Sequence, residues 1–470
     1  MDQQLSSMQQ ELNTLHTIDA PVSILPDEVL AMIFEEGSRF GGRRHFGTLV
    51  SHVMRRWRRI SLETPQLWSE IHFLEHATLE SSEMQNERTA NFLARSKSLP
   101  LAIHIELRRF FNSTQQLLMD HIGHCRQLHI KQSGDHDLVA ALETISSKPV
   151  PELVHIYLSS GYVINLHDQL FPYGAPRLKI ADLDALEPLT AHLCLPAFKS
   201  VTTLRLANVY INEDNEYNAF RDFLVALQVL IHLELHLTHL EGSVHSSIVL
   251  PTIHFLHIDS DSDYKHLGTL LSDIHATSLV TLSITVRDGH GDVSAIWNLP
   301  ELHLPSVKHL ILSRMGACRV ARKDLDLKLL ARRFPDVERL TYSQMAMKPQ
   351  KWDINSLIED MFSSYPAIYK RGEPEIKINT IAIFAENHQY FDAWRLRDGL
   401  LKWRQYGFQL RTIMLPKHVW DQANEKQILE LKTLTEVKEF LVDWPLPFEI
   451  LDSTPACTDS ALTEGGGRED

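Results

Sequence analysis

Apolar positions recur in two rhythms along this chain, a helical one near the N-terminus and a strand-like one over most of the remainder. Leu5, Met8, Leu12 and Leu15, spaced three, four and three apart, predict a short heptad-like helix within residues 1–20. In ILPDEVLAMIFEEG (Ile24 to Gly37), Val29, Leu30, Ile33 and Phe34 share one helical face. Pro26 suits a first turn, where its missing N–H costs nothing, and Asp27 and Glu28 complement the helix dipole. Gly37 is placed to stop this helix. After Gly41 and Gly42, the positions Phe46, Leu49, Val50, Val53, Trp57 and Ile60 predict a second helix that Pro65 ends. Helices this short cannot bury all of their stripes among themselves, so the rest of the chain or another protein must cover the remainder.

The second rhythm is a unit, apolar-x-x-apolar-x-apolar, that reads as a short strand with alternating faces. It starts at Cys125, Leu153, Leu178, Val201, Leu230, Ile253, Leu279, Val307, Val337, Ile378, Leu410 and Val437. With 44% apolar residues the bare pattern is weak, but a proline two places ahead of the unit sharpens it. About 1.8 such matches are expected by chance among the prolines. Six occur, led by Pro100, Pro151, Pro176, Pro251, Pro305 and Pro335. A strand every 23 to 30 residues over most of this stretch predicts an array of stacked units with a parallel sheet. NEYNAFRDFLVALQ and KDLDLKLLARRF, lying between strands, carry helical periodicity and are expected in an outer layer.

Composition narrows the function classes. A formal charge of −14 provides no field to recruit phosphate, which argues against nucleic acid and anionic membrane surfaces as partners. Cys125, Cys194, Cys318 and Cys457 form no CxxC pair, so neither a disulfide framework nor a thiolate zinc site is expected. The polar first twenty residues do not read as a signal peptide, and no apolar run of about 18 residues is present to span a membrane. The expected location is the cytoplasm or nucleus, with a polar tail over 452–470.

Candidate chemistry is sparse. DSDSD (Asp259 to Asp263) imitates half a calcium loop, but Tyr264 and Leu270 replace the required Gly and Glu, so a solvated acidic loop is expected. Gly289-His290-Gly291 lacks the third glycine of a dinucleotide loop, Ser294 standing in its place. His232, His236 and His239 lie close in sequence, with Glu234 on the face of the first two; strand alternation predicts an exposed polar face there, and a metal-dependent enzyme built around these histidines is the rival reading. No HExxH, GxSxG or GxxxxGK[ST] occurs. Arg55, Arg56, Arg58 and Arg59 form the densest basic run and are expected on the wet face of the second helix, a nuclear-import patch being the functional alternative.

The order LPDEVLAMIF, LVSHVMRRWRRI, TPQLWSEIHF resembles an F-box, in the F-box-like form of basidiomycete fungi. The matching positions are Leu25, Pro26, Glu28, Val29, Leu30, Ile33, Phe34, Val53, Trp57, Pro65, Leu67 and Trp68; Met54 departs from the usual Cys. FLARSKSLPLAIHIEL, just downstream, resembles the Arg-Ser-x-x-x-Pro-Leu stretch of the same proteins, and the repeated strands resemble a degenerate leucine-rich-repeat array. Asn208 falls one place ahead of that family's usual Asn or Cys. The resemblance implies an α/β fold: an all-helical F-box module at 21–73, a connecting segment with a first strand at 74–124, and an irregular leucine-rich-repeat solenoid at 125–451 with strands inside and helices outside. It implies a non-enzymatic substrate receptor of a Skp–cullin–F-box ubiquitin ligase, without cofactor or metal. The adaptor would meet Leu25, Pro26, Glu28, Val29, Leu30, Ile33, Phe34, Val50, Val53 and Trp57, and the array would bind an unidentified target protein. A ligase-independent interaction scaffold is the alternative on the same surfaces.

Overall fold

The computed structural model describes residues 21–40, 46–74, 79–107, 112–132, 138–240, 246–260, 264–286, 304–313, 333–344, 377–385, 392–405, 410–421 and 424–448. The expected helix within 1–20, the loops at 261–263 and 289–291, the segment KDLDLKLLARRF apart from its last two residues, and the tail from 452 lie outside them. The chain divides into two compact units, Met1–Trp68 with Asp443–Asp470, and Ser69–Val442.

In the first unit, α1 (Pro21–Ile24), α2 (Asp27–Phe40), α3 (Phe46–Ser51) and α4 (Arg55–Glu63) precede a 3-10 turn at Pro65–Trp68. Pro26 stands just ahead of α2, its carbonyl accepting from Leu30 N at 3.1 Å. Gly37 does not stop the helix, which continues to Phe40. Its lack of a Cβ serves packing, since a Cβ there would lie 2.7 Å from Cζ of Phe46. The second predicted helix is two helices. His52 N and Val53 N bond back three residues to Leu49 O and Val50 O, and the backbone of Met54 is extended, so α4 starts afresh at Arg55. Gly47 lies against the 3-10 turn, where a Cβ would meet the Leu67 carbonyl oxygen at 3.0 Å and the Trp68 ring at 3.3 Å. Leu30, Phe34, Val50, Ile60, Leu67 and Trp68 form this unit's core.

The second unit is a parallel sheet with helices. Its strands are β1 (Glu70–Leu74), β2 (Leu101–Leu107), β3 (Cys125–Gln132), β4 (His155–Ser160), β5 (Ile180–Asp184), β6 (Thr203–Ile211), β7 (His232–Leu240), β9 (Phe255–Ser260), β11 (Thr281–Val286), β12 (His309–Ser313), β13 (Arg339–Gln344), β14 (Thr380–Ala385), β15 (Thr412–Leu415) and β16 (Glu436–Glu439). These 14 strands pair in chain order; a separate two-stranded piece joins β8 (Ile248–Val249) and β10 (Ile274–His275). The sheet therefore starts at Glu70: the strand expected within 74–124 is β2, and one more strand precedes it, since residues 70–73, expected in the helical module, belong to the sheet as β1.

Ten of the twelve predicted starts lie two residues ahead of their strand. The reason is a turn. Leu153 N bonds to Val150 O, Leu178 N to Ala175 O and Val337 N to Phe334 O, so the first apolar residue closes a turn before the strand opens. Pro151, Pro176 and Pro335 occupy the second position of these turns, where a fixed φ near −65° is already correct. Pro100 is different: it directly precedes β2, whose buried positions are Leu101, Ile103 and Ile105, and because Ile103 pairs with Leu128 and Ile105 with Ile130, the unit beginning at Ala102 is set two residues late.

Register is continuous. Ile71, Ile103, Leu128, Ile156, Ala181, Leu204, Leu233, Leu256, Leu282, Leu310, Leu340, Ile381, Ile413 and Val437 form one unbroken apolar row across the sheet. Helices between strands include α5 (Leu79–Ser96), α6 (Asn112–His121), α7 (Leu138–Ser146), α8 (Leu195–Phe198), α9 (Asp214–Ala226), α10 (Tyr264–Asp273), α11 (Ala393–Gln405), α12 (Lys417–Trp420) and α13 (Glu425–Leu434). The expected helix in NEYNAFRDFLVALQ is α9: Glu213 and Glu216 form its capping box, and Tyr217, Phe220, Phe223 and Leu224 are its buried stripe. Asn208 has a left-handed backbone (φ 51°) at a bulge in β6 and donates from Nδ2 to Asp184 Oδ1 at 2.6 Å. β16 ends the sheet with exposed Glu436, Lys438 and Glu439, and charge on an edge strand opposes pairing with another chain.

Candidate functional site

Two places gather the residues singled out in the sequence. The first is the helical unit. Asp27, at the start of α2, receives Arg56 Nε at 2.7 Å and is paired with Arg59; Arg56 also donates to the Leu25 carbonyl, and Arg58 Nε donates to Ser51 O at 2.9 Å. The hydrogen bond from Arg56, with Arg59 beside it, holds the Asp27 carboxyl below the usual range against the opposing effect of burial. The run lies on the wet face as expected, with Arg55, Arg58 and Arg59 exposed and Arg56 half-buried, and three of its four arginines also tie helices together. Phe34 and Trp57 rings meet at 5.0 Å.

The ten residues expected at an adaptor divide by exposure. Leu30, Phe34 and Val50 are interior, so in this structure their role is packing; Leu25 and Trp57 are half-buried; Pro26, Glu28, Val29, Ile33 and Val53 are exposed. The stripe is wider than one buried face. Val29, Met32 and Ile33 share a side of α2 that faces water, with Met32 68% and Ile33 49% exposed, and Val53 is 56% exposed in the break between α3 and α4. Ile24 and Leu49 are also exposed, and sequence spacing gave no way to separate these from the packed residues.

The second place is the sheet face opposite the apolar row. In-register pairing aligns His72, His104, His129, Tyr157, Asp182, Arg205, Glu234, His257 and Ser283 on successive strands. From β3 onward, this row is the residue between the last two apolar positions of each unit, a signal present in the sequence once the units are aligned. It is not the freely solvated polar surface that alternation predicts. Arg205 bridges Asp182 Oδ2 at 3.3 Å and Glu234 Oε2 at 2.9 Å, and Asp182 is only 1% exposed. Glu234 Oε1 lies 2.8 Å from His232 Nε2, and His236 Nδ1 lies 3.3 Å from Asp259 Oδ2. Asp259 is therefore a buried, ion-paired strand residue and not part of a solvated acidic loop. Burial opposes ionisation of Glu234, but His232, His236 and Arg205 hold its carboxyl well below the usual range.

The proposed enzyme site does not assemble. His239 stacks on Tyr210 at 4.9 Å, away from the carboxylates that engage His232 and His236. Among the described residues, the group whose donor atoms converge as metal ligands is instead Glu70, His72 and His104. Cys125 and Cys194 are buried and free, and burial pushes both thiols up to about 12, so neither is a ready nucleophile. No helix among the described residues is long and apolar enough to cross a membrane.

Neither a family model nor a curated protein matches the chain. A likeness to a solved structure, the crystal structure of Rad7 and Elc1 complex in yeast, has 11% identity and a TM-score of 0.31. It covers 74% of this chain and 95% of that chain. So low a score says nothing about function.

The buried histidines give the sheet a defined pH response. Burial pushes His155 down to about 4, and its Nε2 has no hydrogen-bond partner. The stability contributed by keeping it neutral is full above its ordinary value of 6.5 and is lost as pH falls toward 4. At pH 5 the loss is about 2 kcal/mol. His257, also pushed to about 4 chiefly by loss of solvent, acts in the same direction. His236 acts oppositely: burial works against its protonation, but Asp259 and Glu234 outweigh it and raise its pKa. Its contribution is full below 6.5 and is lost as pH rises through the raised value. Melting followed by circular dichroism is expected to give a lower midpoint at pH 5 than at pH 7; equal midpoints would contradict the buried neutral histidines.

Proposed function

We propose that this chain is the substrate-recognition subunit of a Skp–cullin–F-box ubiquitin ligase, its helical unit docking a Skp-type adaptor and its repeat sheet holding a target protein. The observation that supports this reading is the water-facing apolar side of α2, which lies within the stretch carrying the F-box resemblance and whose residues Val29, Met32 and Ile33 are not needed for the unit's own core. An amphipathic helix with surplus apolar surface suits a helix-in-groove partner. Docking energy concentrates in a few anchors worth about 2 kcal/mol each. Holding ligase and target on one chain would make ubiquitin transfer effectively intramolecular.

Native co-purification with a recombinant Skp-type adaptor tests the proposal. Ile33→Asp and Met32→Asp alter exposed positions, so the circular dichroism spectrum should be that of the wild type while adaptor affinity falls at least tenfold. Failure of the wild-type chain to bind the adaptor, or unchanged binding by both variants, would refute the docking face.

A further inference from the structure

We infer that Glu70, His72 and His104 form a binding site for a divalent transition-metal ion of the zinc class. The inference is independent of adaptor docking. Strand geometry alone brings the three together: Glu70 and His72 are two residues apart on one face of β1, and His72 lies directly across from His104 on β2. Glu70 Oε1 is 2.9 Å from His72 Nε2 and 3.7 Å from His104 Nε2, and one donor atom from each residue falls within 4.8 Å of the others. Ligands about 2.0–2.1 Å from a tetrahedral zinc ion sit about 3.4 Å apart, so the donors already bracket the required spacing.

The donor set selects the ion. Two imidazoles and one carboxylate suit zinc, cobalt, nickel or copper, whereas calcium and magnesium favour oxygen ligands throughout. Three protein ligands leave a tetrahedral position for water, and the Glu70 side chain, 59% exposed, opens the site to solvent. The rings of His72 and His104 stack at 4.6 Å and 11°. An imidazole donates in its own plane, so binding turns each ring about its Cβ–Cγ bond until the planes meet at the ion.

A second observation points to a ligand in this row. His129, on the next strand, sets its ring 4.4 Å from that of His104, is 9% exposed, and has a buried Nε2 without a hydrogen-bond partner. An unsatisfied buried nitrogen is unfavourable, and a metal-bound water or other polar ligand beside it would relieve that cost. The bound ion would also clip the edge strand β1 to β2, where β1 has one neighbouring strand.

The full-length chain, stripped with a chelator and desalted, is dialysed against buffered free Zn²⁺, and separately titrated with Co²⁺ while its visible absorption is recorded. The expected result is one equivalent of zinc at micromolar free ion and cobalt d–d bands of a low-coordinate site. Glu70→Gln and His104→Gln are each expected to weaken binding at least tenfold, and His192→Gln, at an exposed position elsewhere, to leave it unchanged. Glu70→Gln changes an exposed side chain, so it keeps the test valid if His104→Gln fails to fold. Absence of zinc from the wild-type chain, or equal binding by wild type and Glu70→Gln, would overturn the site.

Discussion

Arg205→Met is expected to destabilise the repeat sheet by about 3 kcal/mol, read as a shift of the main urea-unfolding midpoint. Methionine retains much of the stem but withdraws the guanidinium shared by Asp182 and Glu234, both of which are buried. Breaking a buried charge arrangement by removing one partner is costly because the remaining charges lose their compensation without regaining water. Glu234 keeps His232, so part of its compensation survives, which places the effect at the lower end of the usual range. Arg205→Lys should fall between wild type and Met, since one ammonium cannot reproduce the two-sided fork. A Met variant as stable as wild type would mean that the cluster is energetically neutral and that stability rests on the apolar row alone.

Trp68→Ala is expected to cost about 3–5 kcal/mol, localised in the helical unit. The indole is 1% exposed, its Nε1–H donates to Ser61 O at 2.7 Å, and its ring packs against Gly47. A helical unit of this size has a small core and little stability in reserve, so this loss is enough to unfold it. Hydrogen exchange by mass spectrometry should show α2 and α4 exchanging at least a hundredfold faster while amides of β6 and β7 remain protected. Trp68→Phe, which keeps most of the volume and loses the hydrogen bond, should cost about 1–2 kcal/mol. Unchanged protection of α2 in Trp68→Ala would show that the indole is not the keystone of this unit.

The strands were legible because each repeats a local chemistry: a turn, often with proline at its second position, then two inward apolar residues such as Ile156 and Leu158. Their partners were legible only in outline, since a parallel register is set by hydrogen bonds between residues some 25 apart. That is why the row from His72 to Ser283 does not stand out in the sequence, and why the rival metal site was placed on His232, His236 and His239. Spacing identified residues on one strand; convergence of Glu70, His72 and His104 needs two strands. In the helical unit the apolar period found α2 but not its end at Phe40, because glycine at 37 answers to the Phe46 ring and not to a helix cap. Nor did the period reveal the break at Met54, where main-chain bonds return three residues in place of four.

Connector length and strand register are separate properties in this sheet. The predicted starts Leu178 and Val201 are 23 residues apart and Val337 and Ile378 are 41 apart, yet Ile180 pairs with Thr203 and Arg339 with Thr380 at the same position of the unit. Alignment is renewed at each turn, where the residue preceding the strand already bonds to the strand before it, as Val154 N does to Arg126 O. An insertion in a connector therefore leaves no phase error to propagate. Evolution can lengthen or recompose the flank of one unit, and with it whatever that flank displays, while the other strands keep their places.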